Sequence, residues 1–303
     1  MSKIGFIGTG TIGAPMALKI IENKHPLTVF DLNTEATRPH AEQGATVAQS
    51  VAEIARSCDT VFLSLPGPAQ IETVLEGEQG LLAHADALKT VIDLSTNSVA
   101  LNRHLAVRAA NSDIAYLDAP VSGGKVAAEA GTLAVMVGGD ETAFNAVRPL
   151  IECFGENIFY LGEAGAGTLA KLVNNQIFLC ASVLIQEGFV MGAKAGMDPT
   201  TLMDVLKVSS AGPFMARAPL VLSRKFDLDI FALSIAAKDV GLAVESAHTL
   251  GAAMPMTEAA HGVYQQALDK ELGSADFFAT VKVLEAAAGV ELPALQKPKA
   301  RST

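Results

Sequence analysis

The chain of 303 residues has no basic stripe. It carries 22 Lys and Arg against 32 Asp and Glu, a formal net charge of -10, and no run of cations that could track phosphates. Nucleic acid and anionic membrane are therefore not expected as partners. Cysteine is also sparse: Cys58, Cys153 and Cys180 are odd in number, widely spaced and without a C-x-x-C pair. No disulfide framework is expected, and reduced thiols suit a cytoplasmic protein. The six histidines, His25, His40, His84, His104, His248 and His261, stand at no ligand spacing, so no metal site is expected. The start "MSKIGFIGTG" lacks an h-region with a cleavage site and reads better as a first strand, so no export is expected. The most apolar long stretch, residues 169–196, is interrupted by Lys171, Asn174, Asn175, Gln176 and Glu187. It predicts a buried helix and no bilayer span.

Half of the residues are hydrophobic and 18% are charged, the balance of a soluble globular protein, and the length favours two domains. In the first half "KIGFIG", "LTVFD", "DTVFLSL", "TVIDLS" and "AYLDAP" are strand-like, and amphipathic or Ala-rich segments separate them. Such alternation predicts a parallel sheet with helices on both faces. Strand signals stop after "NIFYLG", and from Thr168 the chain is rich in Ala, Leu, Val and Met with Gly- and Pro-containing breaks. An α/β domain over 1–163 followed by an all-helical domain over 164–303 is the expected organisation. No internal repeat is present, and the tail "QKPKARST" is expected to be mobile.

"KIGFIGTGTIG" sets Gly8, Gly10 and Gly13 in the G-x-G-x-x-G order, directly after a strand and opening a helix. The first glycine permits the turn, the second lets backbone approach a pyrophosphate, and the third lets helix pack on strand. Glycines also gather at ordinary strand-to-helix turns, so placement matters more than pattern. Here the second strand ends in Asp31, and 31 - 13 = 18 positions is near the spacing at which an acid meets a ribose 2′-hydroxyl. A carboxylate there would repel a 2′-phosphate, and Leu32 and Asn33 offer no compensating cation; Arg38 lies further on in a helical segment. The expected cofactor is NAD, with NADP possible.

"SLP" (64–66) and "STN" (95–97) close two further strands at the same sheet edge, where a proline turn and a helix N-cap are the alternative readings. "DAPVSGGKVAAEAGTLAVMVGG", residues 118–139, gathers glycines at 123, 124, 131, 138 and 139 around a single lysine. Small residues with exposed N–H groups could hold an anion such as a carboxylate. In "GAGTLAKLVNNQ", Lys171 and Asn175 are four apart and share a helix face. A cation near a helix N-terminus opposes the helix dipole, and the neighbours Leu169, Ala170, Leu172 and Val173 disfavour a solvated face, although a snorkelling surface lysine is the alternative.

Four segments, "GFIGTGTIGAPMA", "DAPVSGGKVAAEAGTLAVMVGG", "GAGTLAKLVNNQ" and "AAKDVGLA", closely resemble in order and spacing the motifs of the β-hydroxyacid dehydrogenases of the 3-hydroxyisobutyrate dehydrogenase and tartronate semialdehyde reductase type. The resemblance spans nearly the whole chain. It implies an N-terminal Rossmann domain with a parallel sheet, a long interdomain helix and an all-α C-terminal domain that helps form homodimers or homotetramers. It further implies Lys171 as catalytic acid/base, with Ser122, Gly123, Gly124 and Asn175 holding a small 3-hydroxy acid. Gly8, Gly10, Thr11, Ile12, Gly13, Asp31, Leu65, Pro66, Thr96 and Lys238 are the implied cofactor contacts. Ile12 stands where the family usually has Met, and Lys125 and Ala127 fall at variable loop positions. An imine reductase-like enzyme, in which the lysine is generally replaced, and a non-catalytic dinucleotide-binding module are the rival readings.

Overall fold

The structure, a computed structural model, describes residues 3–228 and 230–294; the tail "QKPKARST" lies outside them. Strands and helices alternate as β1 (Ile4–Ile7), α1 (Gly13–Glu22), β2 (Leu27–Phe30), α2 (Thr34–Glu42), β3 (Thr46–Val47), α3 (Val51–Ser57), β4 (Thr60–Leu63), α4 (Pro68–Glu76), β5 (Thr90–Asp93), α5 (Val99–Ala110) and β6 (Ala115–Asp118). These six strands form one sheet in the order β3-β2-β1-β4-β5-β6, every neighbouring pair parallel. That order is the Rossmann arrangement, and the strand order reverses between β1 and β4, where ligands bind in such sheets.

The pattern of side chains explains why the sheet is covered on both faces. β1 and β4 are buried at every position, and successive residues point to opposite sides. Phe6 and Phe62 stack at 6.0 Å and enter one core with Met16, Ala17 and Ile20 of α1. Ile7, Val61 and Leu63 enter the opposite core with Ile54 of α3, Ile71 of α4 and Leu105 of α5.

A second, three-stranded sheet follows; its last strand carries the strand signal of "NIFYLG", and its first takes in Ser122, expected in a loop. It comprises β7 (Val121–Ser122), β8 (Leu133–Val137) and β9 (Gly155–Tyr160), with α6 (Gly124–Ala130) and α7 (Glu141–Ile151) between them. β7 runs antiparallel to β8, and β8 parallel to β9. Leu133, Val135 and Val137 are buried while Ala134 and Met136 are half-buried, the alternation of a strand with one face on a core.

From α8 (Ala166–Lys194) onward the named elements are helical: α9 (Pro199–Lys207), α10 (Ala218–Ser223), α11 (Leu233–Leu250), α12 (Pro255–Asp269) and α13 (Val281–Ala288), with short 3-10 turns. Their core gathers Leu179, Val183 and Phe189 of α8 around Tyr264, Phe277 and Phe278. Contacts divide the chain into units of Met1–Leu172 and Val173–Thr303, so α8 begins in the first unit and continues in the second. The first turn of α8 bonds within the first unit, through Thr168 and Gly165 to Asp118.

Helix α8 corrects one expectation. By length and composition it could cross a membrane, and only 33% of its most apolar window is buried. Val173, Ile177, Leu184 and Met191 are exposed along one face, because a helix of this length offers its core only one stripe.

Candidate functional site

The turn after β1 is built for a close backbone approach. Gly8 has a φ of 93°, and a Cβ there would overlap the carbonyl of Ser64. Gly10 is different: a Cβ at that position would meet nothing within 4 Å. Nothing in the chain's own packing requires a glycine there, so its bareness fits a group held against it from outside. Thr11 and Ile12 lead into α1, which opens at Gly13 and which no side chain caps. The first N–H groups of an uncapped helix lack internal partners and favour an anion. This is a cradle with the donors and the space that a dinucleotide pyrophosphate needs.

Asp31, just past β2, braces that cradle. Its carboxylate accepts from the Thr9 N–H at 2.7 Å and from the Asn33 N–H at 2.8 Å. Spacing alone had suggested a ribose contact; the structure adds a bond that holds the glycine turn itself. Arg38 in α2 is exposed and pairs with Glu35 at 3.3 Å. Beyond β4, the Leu65 N–H donates to the Ser95 hydroxyl at 2.9 Å, which ties Leu65 and Pro66 to the segment carrying Thr96.

The segment after β6 differs from its expected form. Asp118 and Gly138 exchange both backbone bonds, and the Met136 N–H donates to the Pro120 carbonyl at 3.0 Å. In an antiparallel pair such exchanges recur every second residue, so Ser122, paired with Ala134, has its N–H in the sheet. Ser122 thus offers a hydroxyl, not a backbone donor. The donors remaining in the run are the N–H groups of Gly123 and Gly124, at the start of α6, where Gly123 takes a φ of 134° that only glycine adopts easily. Lys125 follows on the first turn of α6 and is exposed.

Lys171 is half-buried on the second turn of α8, and Asn175 is one turn further along the same helix. The buried Asn175 amide donates to Asp239 Oδ2 at 2.6 Å, and its carbonyl oxygen accepts from the Asn174 amide at 2.9 Å. Lys238 Nζ stands 2.9 Å from Asp239 Oδ1, in α11. Asp239 thereby joins two residues that sequence reasoning had named separately.

Sequence reasoning missed a buried polar cluster beneath the sheet edge. Asp93 and Asp118, at the ends of the adjacent strands β5 and β6, are both buried. Asp93 accepts from the Ser95 N–H at 3.0 Å and from the Tyr116 hydroxyl at 2.9 Å. Burial pushes its pKa up to about 6, and pushes the Asp118 carboxyl up as well. Asn102 connects Tyr116, Asn97 and the Thr168 hydroxyl. Asp118 accepts from the Gly165 and Thr168 N–H groups, both at 2.7 Å. Among the described residues no group of His, Cys, Asp and Glu is arranged to hold a metal ion.

A family profile described as the NAD binding domain of 6-phosphogluconate dehydrogenase matches residues 3–162. A second, described as "NAD-binding of NADP-dependent 3-hydroxyisobutyrate dehydrogenase", matches residues 165–284. The chain is 34% identical to 2-(hydroxymethyl)glutarate dehydrogenase of Eubacterium barkeri, over 96% of this chain and 97% of that protein. It is likewise 34% identical to the NAD-dependent L-serine dehydrogenase of Pseudomonas aeruginosa, over 95% of this chain and 100% of that protein. The solved 3-hydroxyisobutyrate dehydrogenase of Mycobacterium tuberculosis with L-serine superposes with a TM-score of 0.83 at 32% identity, covering 94% of this chain and 99% of that one.

Proposed function

Since this chain belongs to the β-hydroxyacid dehydrogenase family, whose members are NAD(P)-dependent dehydrogenases acting on the CH–OH group of the donor, we propose that it transfers a hydride between NAD and a small 3-hydroxy acid with Lys171 as general acid/base. The acids meant are of the 3-hydroxyisobutyrate, glycerate/tartronate semialdehyde or serine type. The names of the relatives support that class: 2-(hydroxymethyl)glutarate, 3-hydroxyisobutyrate and L-serine each carry a CH₂OH group on the carbon that bears a carboxylate. They differ only in the third substituent.

The observation that carries the reading is the placement of Lys171, half-buried and one turn before an Asn175 whose amide is held at both ends. Gly8, Gly10 and Gly13 with Asp31, Leu65, Pro66, Thr96 and Lys238 would hold the dinucleotide. When bound, its nicotinamide supplies hydride acceptance and donation at C4. In oxidation the Lys171 amine takes the hydroxyl proton on Nζ as the carbonyl forms; in reduction the ammonium returns it. The N–H groups of Gly123 and Gly124 and the Ser122 hydroxyl orient the substrate carboxylate, and Asn175 orients the substrate through an amide it cannot rotate freely.

The chain also acts as a homodimer or homotetramer in this reading. Its support is the apolar face of α8, where Val173, Ile177, Leu184 and Met191 are exposed by 48 to 72%. Gly188 lies mid-helix, and a Cβ there would meet nothing within 4 Å, so no contact inside the chain calls for glycine. A second copy packed closely on that face accounts for both. Incubation with NAD and a panel of 3-hydroxyisobutyrate, glycerate, serine and 6-phosphogluconate, followed by NADH absorbance, tests the activity. Turnover of none of the 3-hydroxy acids, or 6-phosphogluconate as the best substrate, rejects the proposal. Light scattering that finds a monomer at micromolar concentration rejects the assembly.

A further inference from the structure

The N-terminus of α8 is capped from a distance. Ala166 is the first helical residue, so Gly165 occupies the capping position and has no side chain with which to cap. The missing acceptor comes from Asp118, 47 residues earlier: Oδ1 accepts from the Gly165 N–H and Oδ2 from the Thr168 N–H, each at 2.7 Å. Both oxygens are engaged, and the side chain is 1% exposed. The seat is tight as well, because a Cβ on Gly167 would overlap the carbonyl oxygens of Met136 and Asp118. The same residue also begins the run that leads through Pro120 to Ser122, and its backbone is locked to Gly138 by two bonds.

From this geometry we infer that Asp118 is a positioning residue for Lys171, fixing the first two turns of α8, residues 166–172, against the Ser122–Gly124 segment. Lys171 stands one turn beyond Thr168, so the carboxylate holds the turn from which the lysine side chain departs. A helix start freed at this point can fray or turn within residues 166–172, and Lys171 moves with it. A displacement of about 1 Å at a proton-transfer atom lowers turnover by roughly 100-fold. Substrate binding through Gly123 and Gly124 does not depend on that shift. The inference rests on Lys171 acting as the acid/base.

The test compares Asp118→Asn with the parent on the best 3-hydroxy acid of the panel, with rates normalised to NAD-binding sites titrated by calorimetry. Asn keeps one acceptor oxygen and sets an N–H₂ against the other backbone donor. The expected result is a roughly 10- to 100-fold fall in kcat per NAD site, with KM within about three-fold of the parent. A loss that disappears on normalisation, or a kcat within about three-fold of the parent, overturns the inference. Should Asp118→Asn fail to fold, Thr168→Pro removes one donor from the other side in a helical turn that tolerates proline, and Thr168→Val controls for the lost hydroxyl. The same split between kcat and KM is expected for Thr168→Pro and not for Thr168→Val. Failure of both Asp118→Asn and Thr168→Pro to bind NAD assigns Asp118 to folding alone and overturns the inference too. Lys171→Met is measured in parallel: if it retains activity, the acid/base reading fails, whereas an inactive Lys171→Met beside a fully active Asp118→Asn rejects only the role of Asp118.

Discussion

Asn175 donates its amide to the buried carboxylate of Asp239 at 2.6 Å, so a residue of α8 is oriented by a residue of α11 64 positions later. The bond leaves one amide N–H for a ligand and fixes its direction. Asn175→Ala is expected to raise KM and lower kcat together, because an orienting group holds the substrate in the ground state and aligns it further in the transition state. Asp239→Ala leaves the amide in place but unaimed. Since a hydrogen bond to a charged group contributes about 1.5 to 3 kcal/mol, a loss of roughly 10- to 100-fold in kcat/KM is expected, with NADH formation as the readout. Normal kcat/KM in Asp239→Ala would mean that the amide needs no such support.

Lys171→Met keeps much of the side-chain volume and the helix propensity and removes only the titrating group. Turnover is expected to fall by about 10² to 10⁴-fold, the usual contribution of one positioned acid/base. Thermal melting and NAD affinity should stay near the parent values, since a half-buried side chain is not part of the core. A variant within a few-fold of the parent excludes Lys171 as the proton carrier.

How much of this was legible in the sequence depended on whether a signal was local. β1, β2, β4, β5 and β6 are short apolar runs closed by turn residues, and each could be read where it stands. β7 is two residues long and pairs with β8 across a helix, so Ser122 looked like loop; the alternation of Leu133, Val135 and Val137 was the available clue. The strands β2, β5 and β6 each lead into an aspartate, Asp31, Asp93 and Asp118. Only Asp31 was singled out, because its distance from Gly13 matches a known spacing. An acid at the end of an otherwise apolar strand marks a buried carboxylate, but its partners, Tyr116 for Asp93 and Thr168 for Asp118, are set by the tertiary fold.

The cofactor prediction gains a second cause from the structure. Catalytic efficiency with NAD should exceed that with NADP, because the Asp31 carboxylate repels a 2′-phosphate and Arg38 is paired with Glu35. Asp31→Ser should narrow the gap chiefly by weakening NAD, since the bond that holds the Thr9 N–H is lost along with the proposed ribose contact. Parallel KM and kcat measurements with both cofactors decide it. An unmodified protein that uses NADP equally well contradicts the role given to Asp31.

Asp93 makes a prediction about stability and pH. Burial raises its carboxyl from 3.8 to about 6 in the folded chain, with Asp118 as the neighbouring acid and the Tyr116 hydroxyl as a partial compensation. A raised pKa means that the folded state binds the proton more tightly than the unfolded state. The stabilisation from that proton is therefore complete below pH 3.8, declines as pH rises, and is gone above about pH 6. Two units correspond to about 3 kcal/mol over this window. Asp93→Asn cannot lose a proton there, and its amide oxygen can still accept from the Ser95 N–H. Its unfolding free energy, from urea titrations at several pH values, should gain on the parent by up to about 3 kcal/mol between pH 4 and 7, whatever constant offset the substitution introduces. Asp118 is common to both proteins and largely cancels in the difference. Parallel stability curves for the parent and Asp93→Asn across this range would show that Asp93 ionises with no greater penalty in the fold than in the unfolded chain.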